Sequence, residues 1–208
     1  MQVMAASDVL ARMKSAYESA ATYTDTGRVY SLGPDGDEPQ QLCGLFSTSF
    51  VRASETFRFT YRDVKGESYV IQAEHGVLTE LRVPFAYPLR TLGAAIAGIT
   101  GITYGSAHSV PRMLMANRVD GRALWSAAKP SVTGRESVRD DVCCVVDLGE
   151  EWQATRVLIS EISFALRREL RPIGPLDHDS VDFLTSSGRG DLVNIRFGHV
   201  IDYESHME

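Results

Sequence analysis

The sequence predicts a mainly β fold with helices, in which a curled antiparallel sheet packs around an N-terminal helix and a central helical flap. Three observations predict it. A helical period occupies the first twenty residues, a period of two sets in after residue 44, and a glycine-rich insertion at residues 91–116, with Arg112 its only charge, interrupts the alternation.

The first element reads from "ASDVLARMKSAYESAATY", where Val9, Leu10, Met13, Ala16, Tyr17, Ala20 and Ala21 recur at helical spacing. Ser7 is the expected N-cap. A short strand is expected at about 25–31, and "SLGPDGDEPQ" then stops regular structure with Pro and Gly. From there "LFSTSFVR", "TFRFTYRD", "ESYVIQAE" and "GVLTELRV" alternate apolar and polar residues, separated by turn signals at Lys65-Gly66 and His75-Gly76. They predict a meander with one packed face. After the insertion, strands are expected at "RALWSAA", "VTGRESVR", "DVCCVVDLG", "QATRVLIS", "FALRRELR" and "LVNIRFGHVIDYE". Ten or eleven strands cannot lie flat, so the sheet must curl, and only the N-terminal helix and the insertion are available to fill its concave side.

The 208 residues are expected to form one domain spanning 1–208, since 44% hydrophobic and 23% charged residues suffice for a sizeable core. Net charge is −6, and the basic residues, 3 Lys and 18 Arg, are scattered along the chain. Nucleic acid is therefore excluded as a partner. No apolar run reaches the roughly 18 residues of a membrane span. The start carries no secretory signal, so the expected location is cytoplasmic if this is the native start, and periplasm or cell envelope if a leader has been removed. Cys43, Cys143 and Cys144 read as free thiols packed as small hydrophobes, a Cys43 bridge to either of the others being the alternative.

Signals for chemistry are weak. "GAAIAGITG" lacks the Lys-Ser/Thr of a phosphate loop. "GSAHS" sets Ser106 and His108 two apart but has no nucleophile elbow, and it reads as a polar turn leading through Ser109 and Pro111 into a short helix. The acidic runs at 139–141, 149–151 and 177–182 read as turns, His178 included. No catalytic residue, metal or cofactor is expected. The insertion is too small-sidechained for an interfacial helix and reads instead as an apolar flap hinged by Gly93, Gly98, Gly101 and Gly105.

At "LFSTSFVRASETFRFTYRD", preceded by "LARMKSAYESAATYTDTG" and followed by "VTGRESVRDDVCCVVDLG" and "TRVLISEISFALRRELR", the chain resembles the outer-membrane lipoprotein-sorting and lipoprotein-carrier proteins of the LolA/LolB kind. The resemblance implies an incomplete antiparallel β-barrel around helices, an apolar cavity accepting acyl chains, and no catalysis. It assigns Arg52 to holding the helical lid, with Ala53 standing where the family usually has Pro. The aromatic and aliphatic side chains expected to line such a cavity are Phe46, Phe50, Phe57, Phe59, Tyr61, Ile96, Ile99, Met113, Leu114 and Trp125. The expected function is non-enzymatic binding or carriage of a lipid, an acylated protein such as a lipoprotein, or another apolar ligand. A protein-interaction or envelope-stress sensory domain of the same fold is the alternative.

Overall fold

A computed structural model describes residues 4–32, 39–84, 89–152, 155–172 and 198–208. Helix α1 spans Ala6–Ser19 and buries Ala6, Val9, Leu10, Met13 and Tyr17, the stripe its spacing predicts. Its cap is not Ser7 but Ala5, which offers no side-chain bond, because the helix begins two residues earlier and Ser7 already lies inside it. The first five strands follow: β1 at Thr22–Leu32, β2 at Pro39–Val51, β3 at Thr56–Asp63, β4 at Ser68–Glu74 and β5 at Val77–Arg82. Strand β1 is longer than the expected 25–31. After the insertion come β6 at Ser131–Val138, β7 at Asp141–Asp147, β8 at Arg156–Ser160, β9 at Leu166–Pro172 and β10 at Gly198–Met207. The expected acidic turn at 177–182, with His178, and the first half of the expected last strand lie outside the described residues. "RALWSAA" is not a strand: Leu124–Ser126 form a single 3-10 turn, because the apolar groups there pack down onto α1 and leave no edge to pair with a neighbour.

The ten strands make one antiparallel sheet in the order β5-β4-β3-β2-β1-β10-β9-β8-β7-β6. It is curled and not closed, since β5 and β6 each have one partner among the described residues. Two meanders thus meet at the β1–β10 seam, which runs in register from Tyr23 opposite Met207 to Ser31 opposite His199. The chain leaves the first meander at one edge and enters the second at the other, so the connection between β5 and β6 must cross a face. It crosses the concave one, and this is why the insertion is apolar. It carries α2, Leu92–Thr100, and α3, Ser109–Leu114, with α2 lying on β4 and β5 and α3 on α1.

Alternation decides which side chains face the helices. On β7, Cys144 and Val146 join the main core while Cys143 and Val145 join a small cluster on the other face with Val138 and Leu158. All three cysteines are free thiols, and burial raises the thiol pKa of Cys143 and Cys144 to about 11, which leaves them unreactive. Near the seam, Phe46 lies directly over Gly27, stacks on Phe59 and meets Tyr203 edge-on, with ring centres 6.1 and 5.4 Å apart. A Cβ on Gly27 would sit 2.1 Å from Phe46 Cζ. Gly27→Ala should therefore push this ring out of its packing and cost about 1–3 kcal/mol in denaturant unfolding; an unchanged midpoint would show that the ring can move aside freely.

Candidate functional site

The floor of the concave side is aromatic because cross-strand register stacks the inward positions of β1, β2 and β3. Tyr23 faces Phe50 and Phe50 faces Phe57; Phe46 faces Tyr61, and Thr48 faces Phe59. Phe46, Phe50, Phe57, Phe59 and Tyr61 are all buried there. The insertion closes over this floor with Ile96 and Ile99 from α2 and Met113 and Leu114 from α3, which are also buried. Trp125 reaches the same core from the 3-10 turn and is only partly covered. The structure therefore brings all ten apolar residues singled out in the sequence into one packed core, filled by the protein's own helices.

The two halves of the cover are held differently. Thr91 caps α2, its hydroxyl accepting from the Ala94 amide at 3.1 Å, and Thr100 and Thr103 bond back to the carbonyls of Ile96 and Ile99. Among the described residues no side-chain hydrogen bond or ion pair ties residues 92–100 to the sheet, so apolar packing alone seats α2. Helix α3 is pinned at both ends. At its C-terminal end, Arg52 reaches in from the end of β2, donating from Nε to Ala20 O and from Nη2 to Tyr17 O, both at 2.7 Å, and from Nη1 to Leu114 O at 3.4 Å. Its guanidinium also lies 5.2 Å over the Phe50 ring. One planar fork thus serves the carbonyl ends of two helices, which otherwise lack intrahelical donors. Just beyond, Arg118 pairs with Glu55 at 2.9 Å.

At its N-terminal end, α3 meets a polar cluster that the sequence reading did not find. Glu169, on the concave face of β9, is fully buried and accepts from Arg171 Nε at 2.6 Å, from the Ser109 hydroxyl at 2.8 Å and from the Tyr203 hydroxyl at 3.3 Å. Arg171 also donates to Ser109 Oγ at 2.5 Å. Ser109 was expected in the polar turn that leads into the helix. It instead lies in the first turn, with His108 at the cap position and making no capping bond, and its hydroxyl is committed to Glu169 and Arg171. The signal was present in "LRRELR", where Glu169 and Arg171 share a strand face, but nothing local marks that face as inward. Beside the cluster, Tyr104 packs on His199 with ring centres 4.2 Å apart. Burial and the Arg171 charge lower the His199 pKa to about 4, so the ring is neutral at pH 7.

A second buried carboxylate sits beneath α1. Asp25 accepts from the Thr48 amide at 2.7 Å and from the Tyr23 hydroxyl at 2.8 Å, and burial raises its pKa to about 7. Tyr17 packs against Tyr23, and its hydroxyl accepts from the Leu166 amide at 3.1 Å, fastening α1 to β9.

Ser106 and His108 do not meet as a nucleophile and base would. Ser106 donates to Thr103 O at 2.8 Å, and His108 Nε2 bonds Asp120 O at 2.9 Å. Open space around the cover includes a cleft of about 300 Å³ at the N-terminal end of α3, one of about 120 Å³ beside Arg52 and one of about 410 Å³ where Gly101, Ile102 and Tyr104 of the insertion meet Tyr61 and Tyr69. Among the described residues no helix is long and apolar enough to cross a membrane.

No protein-family model matches the chain, and no curated protein matches it in sequence. Solved structures do. A LolA superfamily protein from Nitrosomonas europaea aligns over 99% of this chain and 94% of its own at 12% identity, with a TM-score of 0.35. MucB aligns over 97% of this chain at 10% identity with a TM-score of 0.52, and MucB in complex with MucA(peri) over 98% at 10% with 0.51. This chain spans only 58% and 56% of those two MucB chains. At such identities the likeness is one of fold alone, and this chain shares its fold with part of MucB.

Proposed function

We propose that this protein is a non-enzymatic binding protein that takes up an apolar ligand, an acyl chain or the acylated end of a lipoprotein, between the aromatic floor and α2. The observation that supports this best is the unequal anchoring of the cover: α3 is fixed at both ends by charged side chains, whereas α2 rests on the sheet through apolar contacts alone. Moving α2 off β4 and β5 uncovers the face that carries Ile71, and among the described residues it breaks no ion pair. An acyl chain can then replace Ile96 and Ile99, each CH₂ buried contributing about 0.8 kcal/mol. Such a protein works in the cell envelope, as one unit over 1–208.

Hydrogen exchange tests this directly. Amides of residues 94–103 should exchange well before those of β7 in the free protein, because α2 opens locally. A fatty acid such as palmitate should slow them and leave residues 142–146 unchanged. Saturable binding of a fluorescent fatty acid at about micromolar affinity should accompany this, the buried chain being offset by about 4–15 kcal/mol of association cost. If α2 exchanges as slowly as β7 and no fatty acid binds, α2 is a fixed plug and the reading fails. A protein partner is then favoured, on the ground that MucB, which shares this fold, forms a complex with MucA(peri).

A further inference from the structure

The cleft of about 410 Å³ beyond the C-terminal end of α2 is lined by Tyr61, Tyr69 and Tyr104, and by Asp63, Lys65 and Glu67 around the β3–β4 turn. We propose that this cleft takes the ammonium headgroup of a zwitterionic lipid. The inference rests on the apolar-ligand reading and deepens it, by making this end of α2 the mouth of the site.

The two ends of α2 differ in the space around them. In its first turn, a Cβ on Gly93 would lie 2.7 Å from the Arg118 carbonyl oxygen, and Arg118 is itself paired with Glu55. Just past its last turn, a Cβ on Gly101 would meet no atom within 4 Å. A helix seated on backbone at one end and bordered by open space at the other swings outward at the open end. Tyr61 belongs both to the cleft and to the buried core beneath the cover, and Ile102, Tyr69 and Tyr104 pack against that core. A headgroup held here leaves its chains beside the aromatic floor.

The lining suits a cation. Its rings are held in place: Tyr61 donates to Cys43 O at 3.3 Å, Tyr69 donates to Glu67 Oε2 at 2.7 Å, and Tyr104 packs on His199. The turn is held too, since Asp63 Oδ1 accepts from the amides of Lys65 and Glu67, both at 2.9 Å. The phenol pKa is raised at all three tyrosines, at Tyr61 and Tyr104 by burial first and at Tyr69 by its bond to Glu67 first, and the charge of Asp63 adds to each. One carboxylate acting on three phenols sets them around a common negative centre. The lining carries two carboxylates against the single ammonium of Lys65, which pairs with neither of them among the described residues. Aromatic faces and negative charge together attract an organic ammonium group and repel an anionic headgroup.

The test is calorimetric titration of the full chain with three monomeric lipids that share their acyl chains: dihexanoyl phosphatidylcholine, phosphatidylethanolamine and phosphatidylglycerol. Phosphatidylcholine should bind about tenfold tighter than phosphatidylglycerol. Tyr69→Leu should cut that ratio to about twofold, whereas Tyr69→Phe, which keeps the ring, should preserve it. Asp63→Asn, whose Oδ1 can still accept from both turn amides, should cut it as well. Phosphatidylethanolamine binding as tightly as phosphatidylcholine would support recognition of any ammonium through the carboxylates; weaker binding would support recognition of the methyl groups by the rings. A ratio near one in the parent protein overturns the proposal. So does a ratio that both Tyr69→Leu and Asp63→Asn leave unchanged, because repulsion of an anionic lipid by the net charge of −6 would produce that result. Equal binding of the three lipids alongside saturable palmitate binding sinks this inference and leaves the apolar site standing. If neither palmitate nor any of the three lipids binds, the apolar reading fails and takes this inference with it.

Discussion

Asp25→Asn should stabilise the protein at pH 8 and leave it almost unchanged near pH 4. Burial raises the Asp25 pKa from 3.8 to about 7, and among the described residues no cation pairs with it. Between those two values the folded protein keeps a proton that the unfolded chain releases, so stability falls as pH rises through this window and levels off above it. At 1.36 kcal/mol per unit, the ionised carboxylate costs up to about 4 kcal/mol at pH 8. Asparagine mimics the protonated acid: its Oδ1 can accept from the Thr48 amide and its Nδ2 can donate to the Tyr23 hydroxyl, so it should carry none of that cost. Urea unfolding of parent and variant at pH 5 and pH 8 measures the difference, in which every other titrating group cancels. The advantage of the variant should grow by about 3 kcal/mol between the two pH values. An advantage that stays constant would mean that Asp25 is already ionised at pH 5.

Arg52→Ala should destabilise the protein by about 2–4 kcal/mol, because three charge-assisted bonds disappear and the carbonyls of Tyr17 and Ala20 lose their donor. The loss should not be confined to α1. Since Leu114 O is the third acceptor, amides of Met115, Arg118 and Val119, which bond back to the end of α3, should exchange faster in the variant. Arg52→Lys should recover only part of the stability, a single ammonium being unable to span both short contacts. Faster exchange at residues 16–20 with no change at 115–119 would show that Arg52 caps α1 only and has no hold on the cover.

Much of this architecture was legible in the sequence because it depends on local periodicity. The α1 stripe of Val9, Leu10, Met13 and Tyr17 needs only 3.6-residue spacing, and the alternation through Phe57, Phe59 and Tyr61 identifies the inward face of β3 without reference to any other strand. Turn glycines Gly66 and Gly76, both with positive φ, separated the strands as expected. The apolar insertion, too, announced itself by lacking charge. Arg52 was legible only through resemblance, since an arginine after a strand looks like any surface residue until two helix ends arrive beside it.

Tertiary structure alone decided the rest, and in each case long-range pairing is the reason. The strand "TYTDTGRVY" alternates like any half-exposed strand; the β1–β10 seam, joining residues some 180 positions apart, made it central and buried Asp25. Glu169 and Arg171 would be ordinary surface charges on an edge strand. They became a buried pair because β9 lies between β8 and β10 and because the insertion, forced to cross from one sheet edge to the other, sets Ser109 against them. The segment at 122–128 failed as a strand for the same reason, since its position against α1 offers packing but, among the described residues, no sheet partner. Local pattern determined which side chains could be buried; the order of strands determined which of them met.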